Sequence, residues 1–260
     1  MKLVKLWGAI LLMMSLSVFS ADNSIYIDQV GGSSTIDITQ DGSSNKVYGV
    51  GDSEGTAATF TGDSQTVDIQ QTGSSNLLGI DLDTSVSSGV GIDLTYYITG
   101  SNSTASIDVN GDGLATTAPA NNTIDIRMTG DYNDLTFDLL GSGNSLTATA
   151  TGGSYNDFNF TINDADSTTT NVAISGGGGN TTTLNLGTDN ATVDITAAGA
   201  SNTISLTQSG AGDATYGHNF DLDISGSSNS FTATQSGSQY NDIDVNITGS
   251  SSTWTITQED

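Results

Sequence analysis

Short runs in which apolar residues stand two positions apart recur along almost the whole chain. Residues 202–210 show the unit, in which Ile204 and Leu206 alternate with polar residues and Gln208 precedes the closing glycine. Alternation with a period of two places the apolar pair on one face of a β-strand and the polar residues on the other. A single strand of this kind cannot bury its apolar face, so the recurrence predicts copies that stack on one another.

The spacing between the runs indicates how the copies stack. Ile124, Leu135 and Leu146 follow one another at intervals of 11 residues. This interval is too short for a strand and a crossover helix, but it fits one strand and one tight turn. We therefore predict an all-β fold, a β-solenoid of stacked strand-turn-strand coils built from half repeats of roughly 11 residues, with about nine coils over about 40 Å. Four longer gaps are predicted to form loops: residues 50–65, 112–121, 161–170 and 210–218.

The first residues have the layout of a secretory signal peptide. Two lysines precede an apolar run over residues 6–19, and the small residues Ser20 and Ala21 follow. A membrane anchor is the alternative, but the run is shorter than the roughly 20 apolar residues that span a bilayer. We predict a signal peptide over residues 1–21, cleaved after Ser20 or Ala21, and one repeat domain over residues 22–260 that is exported to the cell surface.

The predicted secreted chain is strongly acidic. Loss of the signal peptide leaves Lys46 and Arg127 against 29 acidic residues, a formal charge of −27. Nucleic acid and anionic lipid bind through basic patches, so neither is expected as a partner. The chain has no cysteine, so we expect no disulfide, no thiol chemistry and no cysteine zinc site.

Aspartate stands between the two apolar residues of many runs, where its carboxylate must face outward. Two carboxylates stacked about 4.8 Å apart repel by roughly 1 kcal/mol in bulk water, and salt reduces the repulsion. One hypothesis is that they are gatekeepers, which slow self-assembly until cations or a template are present. The alternative is an acidic face that only keeps the protein soluble. Weak binding of divalent cations would occur along such rows. The residues include Asp37, Asp68, Asp93, Asp125, Asp194 and Asp244.

No residue pattern points to catalysis or to a specific metal site. Asp108, Asn110 and Asp112 match the start of a calcium loop, but Pro119 occupies the position of its bidentate glutamate. His218 is the sole histidine, so neither a histidine-centred triad nor a histidine zinc site can form. Carboxylates for a glycosidase pair are plentiful, but none stands out from its repeated copies. We therefore expect a protein that is not an enzyme and needs no cofactor.

Threonine-rich runs raise the question of a flat hydroxyl array. The runs at residues 147–149 and 181–183 do not recur on one face at the repeat period. We therefore expect threonine to act as an outward-facing strand former and not as an array.

A recurring spacing at the strand ends resembles a known family. It reads Ser or Asn, five residues, Gln, one residue, Gly, two residues and Asn, and Ser34, Gln40, Gly42 and Asn45 match it in full. This spacing resembles the curlin repeat of bacterial curli fibre subunits. The match is good at both ends of the chain and degenerate between residues 85 and 194.

The resemblance implies a secreted subunit that self-assembles into extracellular curli-like functional amyloid fibres of the biofilm matrix, with surface adhesion as the role. It implies other copies of the chain as the main partner, and a nucleator and a dedicated secretion channel as further partners. The open alternative is a non-polymerising secreted β-solenoid adhesin, or a calcium- or glycan-binding module, which would need capped ends.

Stacked coils give the recurring spacing a chemical meaning that does not depend on the resemblance. Each side-chain amide would donate to one neighbouring coil and accept from the other, and glycine would permit the tight turn. The alternative is that these are ordinary turn residues of a β-solenoid. The predicted ladder and assembly residues are Asn23, Gln29, Ser34, Gln40, Asn45, Gln71, Asn76, Asn202, Gln208, Asn229, Gln235, Asn241 and Gln258, and the predicted turn glycines are Gly31, Gly42, Gly73, Gly210 and Gly237.

Overall fold

The structure is a computed structural model that describes most of the chain after residue 21. The predicted signal peptide and its cleavage site lie outside the described residues. Among the described residues, no helix is long and apolar enough to cross a membrane. The described residues are 22–31, 34–42, 44–49, 56–62, 64–83, 91–109, 121–141, 143–163, 168–187, 191–209, 218–237 and 241–259.

Strands are the regular secondary structure of the described residues. Inward positions are buried and outward positions are exposed in alternation along most strands, as the period of two predicts. In chain order the strands are β1 (Asp22–Tyr26), β2 (Asp28–Val30), β3 (Thr35–Asp41), β4 (Ser44–Tyr48), β5 (Ala58–Thr61), β6 (Thr66–Thr72), β7 (Ser75–Asp83), β8 (Asp93–Thr99), β9 (Asn102–Val109), β10 (Thr123–Thr129), β11 (Asn133–Leu140), β12 (Ser145–Thr151), β13 (Tyr155–Asn163), β14 (Thr169–Ser175), β15 (Gly179–Gly187), β16 (Thr192–Ala198), β17 (Ser201–Ser209), β18 (Asn219–Ser225), β19 (Ser228–Ser236), β20 (Asp242–Thr248) and β21 (Ser251–Glu259).

The strands form two parallel sheets that face each other, and each full coil adds one rung to each sheet. The first sheet runs β1-β4-β7-β9-β11-β13-β15-β17-β19-β21, with β2 completing the rung of β1 and β5 that of β4. The second sheet runs β3-β6-β8-β10-β12-β14-β16-β18-β20. The predicted all-β β-solenoid is confirmed.

The loop predicted over residues 50–65 is wrong in part, because β5 lies within it. This short strand pairs with β2 and β7. Ala58 and Phe60 point inward and are fully buried. The small alanine makes this run a weak apolar pair in the sequence, although it fills the same place in the stack as the stronger runs.

The core lies between the two sheets and consists of inward Ile, Val, Leu and Phe side chains. β11 is typical, since Leu135, Phe137 and Leu139 are all buried. Equivalent positions in successive coils are 22 to 31 residues apart. The shortest coils have the predicted length, and the longer ones carry their extra residues in the connections between strands.

Candidate functional site

A column of inward-facing side chains, mostly asparagine and buried except in the two end coils, runs along the first sheet near the start of each strand. In six of these asparagines, the Nδ2 atom donates to Oδ1 of the asparagine in the next coil toward the C-terminal end, with distances of 2.8 to 3.1 Å. These are ordinary hydrogen-bond lengths, and the resulting ladder ties each coil to its neighbour. The column consists of Asn23, Asn45, Asn76, Ser103, Asn133, Asn156, Asn180, Asn202, Asn229 and Ser252.

Ser103 interrupts this ladder. The Nδ2 atom of Asn76 reaches Oγ of Ser103 at 3.4 Å, the longest contact of the column. On the other side, the buried Oδ1 atom of Asn133 has no hydrogen-bond partner. An unsatisfied buried acceptor costs about 1–3 kcal/mol, so the break is a weak point of the stack.

Two shorter ladders of glutamine side chains lie near opposite ends of the stack. In the first sheet, Nε2 of Gln235 donates to Oε1 of Gln208 at 2.7 Å, and Nε2 of Gln258 donates to Oε1 of Gln235 at 3.2 Å. In the second sheet, Nε2 of Gln71 donates to Oε1 of Gln40 at 2.8 Å. In both ladders the coil nearer the C-terminal end donates, which is the reverse of the asparagine ladder.

Apolar residues replace glutamine in the middle coils. In the second sheet the hydroxyl of Tyr96 ends the ladder by donating to Oε1 of Gln71 at 2.9 Å. In the first sheet, apolar residues separate Gln29 from Gln208, so amides at this position are confined to the coils near the two ends. The residues between them are Phe60, Leu82, Val109, Leu139, Ile162 and Leu186.

Three predicted ladder residues lie in the terminal coils, outside these ladders. Gln29 is in register with Phe60. Ser34 and Asn241 immediately precede β3 and β20, the two edge strands of the second sheet. Both amide atoms of Asn241 are shielded from solvent and have no hydrogen-bond partner. Hydrogen bonding is therefore incomplete within one chain at Asn241, and also at Gln29, whose buried Oε1 atom has no partner.

A second column with polar members precedes the strands of the second sheet; the sequence analysis named its end residues, Ser34 and Asn241, but missed those between them. Nδ2 of Asn122 donates to Oδ1 of Asn144 at 2.9 Å. His218 is fully buried in the same column, and its Nδ1 atom accepts a hydrogen bond from the backbone N–H of Ala191 at 3.4 Å. The lone histidine therefore serves as a packed structural residue.

Each coil returns from the second sheet to the first through a stacked glycine. A methyl group on Gly73 would overlap the carbonyl oxygen of Gly42, and one on Gly130 would overlap that of Gly100. In all but one coil the residue of the asparagine column follows this glycine at the third position. That spacing persists through the degenerate middle and would have located its asparagines. The stacked glycines are Gly42, Gly73, Gly100, Gly130, Gly153, Gly176, Gly199, Gly226 and Gly249.

The predicted turn glycines divide between two kinds of turn. Gly42 and Gly73 belong to the stacked column; a methyl group on Gly73 would overlap the backbone of Gly42, and one on Gly42 would meet the side-chain amide of Asn23. Gly31 and Gly237 follow strands of the first sheet and have φ values of 152° and 88°. Gly210 lies outside the described residues.

Both ends of the stack expose strand edges. No described strand pairs with the outer edges of β1, β2 and β3 at one end or of β20 and β21 at the other. The side chain of Trp254 on β21 is 62% exposed. Unpaired edges with inward apolar residues are templates for another chain. The apolar residues that pack only partly against the core all lie at these ends: Ile25, Ile27, Ile36, Ile243, Val245, Ile247 and Ile256.

Carboxylates stack on the outer faces of both sheets. Asp194, Asp221 and Asp244 occupy three successive rungs of the second sheet in register. Desolvation raises the pKa of Asp221 above its ordinary value, and the negative charges of these two neighbours and of Asp223 raise it further. On the first sheet, desolvation and the charge of an in-register aspartate raise the pKa of Asp134 in the same way. Proximity of like charges is therefore built into the stack.

Hydroxyl side chains cover the outer face of the first sheet from β15 to β21. The expectation that threonines do not recur on one face is wrong for residues 181–183. Insertions in the connections change the sequence interval between coils, but they leave the strand register intact. One column consists of Thr181, Thr203, Ser230 and Thr253, and the next of Thr183, Ser205, Thr232 and Thr255.

Metal binding and similarity to known proteins add no further assignment. Within the described residues, no group of three His, Cys, Asp or Glu side chains could hold a metal ion. Asp108 lies on β9, and the rest of the calcium-like string lies outside the described residues.

No protein-family model, curated protein or solved structure matches the chain.

Proposed function

We propose that the protein is a secreted structural subunit that polymerises end to end into extracellular fibres of the functional amyloid type. The observation that carries this proposal is the pair of open ends, each with unpaired strand edges and inward apolar residues only partly covered. The curlin-like spacing of Asn, Gln and Gly points to the same role. The fibre would serve the biofilm matrix and surface adhesion.

Burial at the junction supplies the driving force. Fully burying an isoleucine-sized side chain contributes about 1.5–3 kcal/mol. The partly covered residues of the end rungs, together with the exposed Trp254, would become interior when another copy stacks on them. Backbone hydrogen bonds between edge strands would add register and direction to this contact.

The position of the buried glutamines also supports a stacking role for the ends. Apolar residues fill this column in the middle coils, whereas Gln208, Gln235 and Gln258 form a ladder that reaches the last strand. Amide ladders gain a further hydrogen bond with each added layer. A ladder placed at an end can therefore continue into the next copy.

The acidic columns oppose assembly. Asp194, Asp221 and Asp244 already stack within one chain, and polymerisation brings further chains of formal charge −27 into contact. Salt screens such repulsion between exposed charges. The gatekeeper role therefore predicts faster growth at high salt, and equal growth rates at low and high salt would refute that role.

Seeded growth of the chain that begins at Asp22 tests the proposed function. Thioflavin T fluorescence is followed with and without sonicated fibres, and the products are examined by electron microscopy and fibre diffraction. We expect a lag that seeds abolish and a cross-β reflection near 4.8 Å. A stably folded monomer that never forms fibres, seeded or unseeded, would contradict the proposal.

Two lysine variants of β21 show whether the end of the stack is the growing surface. Trp254→Lys places a charge on the inward side of the edge strand, where it should block stacking. It should not unfold the chain, because Trp254 is already exposed. Thr253→Lys is the matched control, because Thr253 adjoins Trp254 in the chain but its side chain points outward. Equal growth of the two variants would show that assembly does not use this end.

A further inference from the structure

The two sheets contain unequal numbers of rungs. The first sheet has ten, counting β1 with β2 and β4 with β5 as single rungs, and the second sheet has nine. Among the described residues the path alternates between the sheets and β21 is its last strand, so no described strand of the second sheet lies beyond β20 to face β21. Trp254 is exposed for this reason, although its partner position on β19, Phe231, is buried.

This odd number of rungs restricts how a second copy can stack. If like sheets joined, β1 and β2 of the next copy would lie on β21, and its β3 would lie two levels beyond β20. One rung of the second sheet would then be missing at every junction, leaving a void beside Trp254. Voids are costly in cores that are otherwise close-packed.

A half turn of the next copy about the stacking axis removes this void. Its β1 and β2 then lie on β20 and face β21, and its β3 lies on β21. We propose that successive copies exchange sheets in this way, so that the fibre has a two-fold screw axis. This inference rests on the proposed end-to-end polymerisation and assigns its symmetry.

The contact of β20 with the next copy satisfies an unpartnered amide. The inward residues Asn241, Ile243 and Val245 have the same spacing as Asn23, Ile25 and Ile27 of the next copy. Both amide atoms of Asn241 lack a partner within the chain. These atoms are shielded from solvent, so the side chain must turn toward the open edge; its Nδ2 atom would then donate to Oδ1 of Asn23 in the next copy, which is the donor direction of the existing asparagine ladder.

The contact of β21 with the next copy continues the glutamine ladder. The run from Ser252 to Gln258 has the same Ser-to-Gln interval as the run from Ser34 to Gln40. Nε2 of Gln40 in the next copy can donate to Oε1 of Gln258, as Nε2 of Gln258 does to Oε1 of Gln235. The two separate glutamine ladders then become one ladder across the junction. Joining like sheets would also place Gln258 beside a glutamine, Gln29, so the glutamine contact does not distinguish the two arrangements. The void beside Trp254 and the unpartnered amide of Asn241 favour the exchange of sheets.

Cysteine pairs distinguish the two arrangements, because the natural chain contains no cysteine. Thr35→Cys with Thr253→Cys places the thiols beside each other only if sheets are exchanged. Ser24→Cys with Thr253→Cys does so only if like sheets join. All three positions are exposed. Positions 35 and 253 lie near opposite ends of one chain, about 40 Å apart, so a disulfide within a chain is ruled out.

The fibres are oxidised and then dissolved in denaturant without reductant, and covalent multimers are separated by size. Thr232→Cys with Thr255→Cys, in register on β19 and β21, is the positive control for disulfide formation between outward positions of adjacent strands. We expect a ladder of covalent multimers from the 35/253 pair and monomers from the 24/253 pair. Multimers from the 24/253 pair alone would overturn the exchange of sheets and leave end-to-end polymerisation standing. Fibres that give multimers from neither pair, while the control oxidises, would overturn both, and failure to form fibres would refute the proposed function itself.

Discussion

Repair of the interrupted asparagine ladder should stabilise the folded chain. Ser103→Asn places an amide between Asn76 and Asn133, at a position where most other coils carry asparagine. Ser103 is 1% exposed, so the new amide lies within the same buried column. Its Oδ1 atom would accept from Asn76, and its Nδ2 atom would donate to Asn133.

The expected gain follows from the atoms that change partner. The buried Oδ1 of Asn133 acquires a donor, and a buried unsatisfied acceptor costs about 1–3 kcal/mol. The weak 3.4 Å contact from Asn76 is replaced by an amide-to-amide hydrogen bond as short as those elsewhere in the column. Two additional heavy atoms must fit, which opposes part of this gain. We expect a net increase of about 1–2 kcal/mol in the free energy of unfolding.

Urea unfolding followed by circular dichroism measures this change, in the Trp254→Lys background so that polymerisation does not interfere. With a slope of about 2–3 kcal/mol per molar urea, the midpoint should rise by about 0.3–1 M. Ser103→Leu is the control, because leucine has nearly the shape of asparagine but forms no hydrogen bond. Asn156→Ser should destabilise the chain by creating a second break. The account of the ladder is refuted if Ser103→Asn is neutral or if Ser103→Leu stabilises equally.

Three further predictions concern the stack and its charges. Gly130→Ala should destabilise the chain by at least about 3 kcal/mol, because the new methyl group would overlap the carbonyl of the preceding coil and because alanine rarely adopts a φ of 141°. Gly177→Ala is the control: a methyl group there lies in open space, so stability in the same urea assay should change by less than about 0.5 kcal/mol. Tyr96→Phe should cost about 1–2 kcal/mol in that assay, because buried Gln71 loses a donor, and an unchanged midpoint would contradict this. Asp221→Asn should stabilise the chain at pH 7, because a raised folded-state pKa penalises the ionised form. This gain should vanish below the ordinary pKa of about 3.9, where folded and unfolded states are both protonated, and a gain that persists there would refute the charge explanation.

The sequence predicts the fold well because local alternation and coil stacking depend on the same residues. Ile204 and Leu206 form a buried pair of one strand, as their spacing of two requires. β5 was missed because its apolar pair contains alanine, and residues 181–183 were misjudged because insertions conceal the register. The interval between two runs includes the residues of the connections, which differ in length from coil to coil. Stacking depends only on the register of the strands.

The candidate site is predicted less completely than the fold. Asn23, Asn45 and Asn76 were identified through a spacing that includes glutamine, but glutamine gives way to apolar residues in the middle coils. The asparagines there, such as Asn156, follow the stacked glycine instead, because the glycine turn and the ladder are needed in every coil. The number of rungs in each sheet follows only from strand pairing, so it could not be predicted from the sequence intervals between apolar runs.

Mass per unit length of a single protofilament tests most directly whether folded solenoids stack end to end. Ten rungs in one sheet and nine in the other correspond to an advance of about 45 Å per chain at about 4.8 Å per rung. Scanning transmission electron microscopy of unstained fibres should therefore give one chain per about 45 Å. One chain per about 4.8 Å, a density nearly tenfold higher, would mean that each chain adds a single flat layer, and this result would contradict the proposed architecture of the fibre.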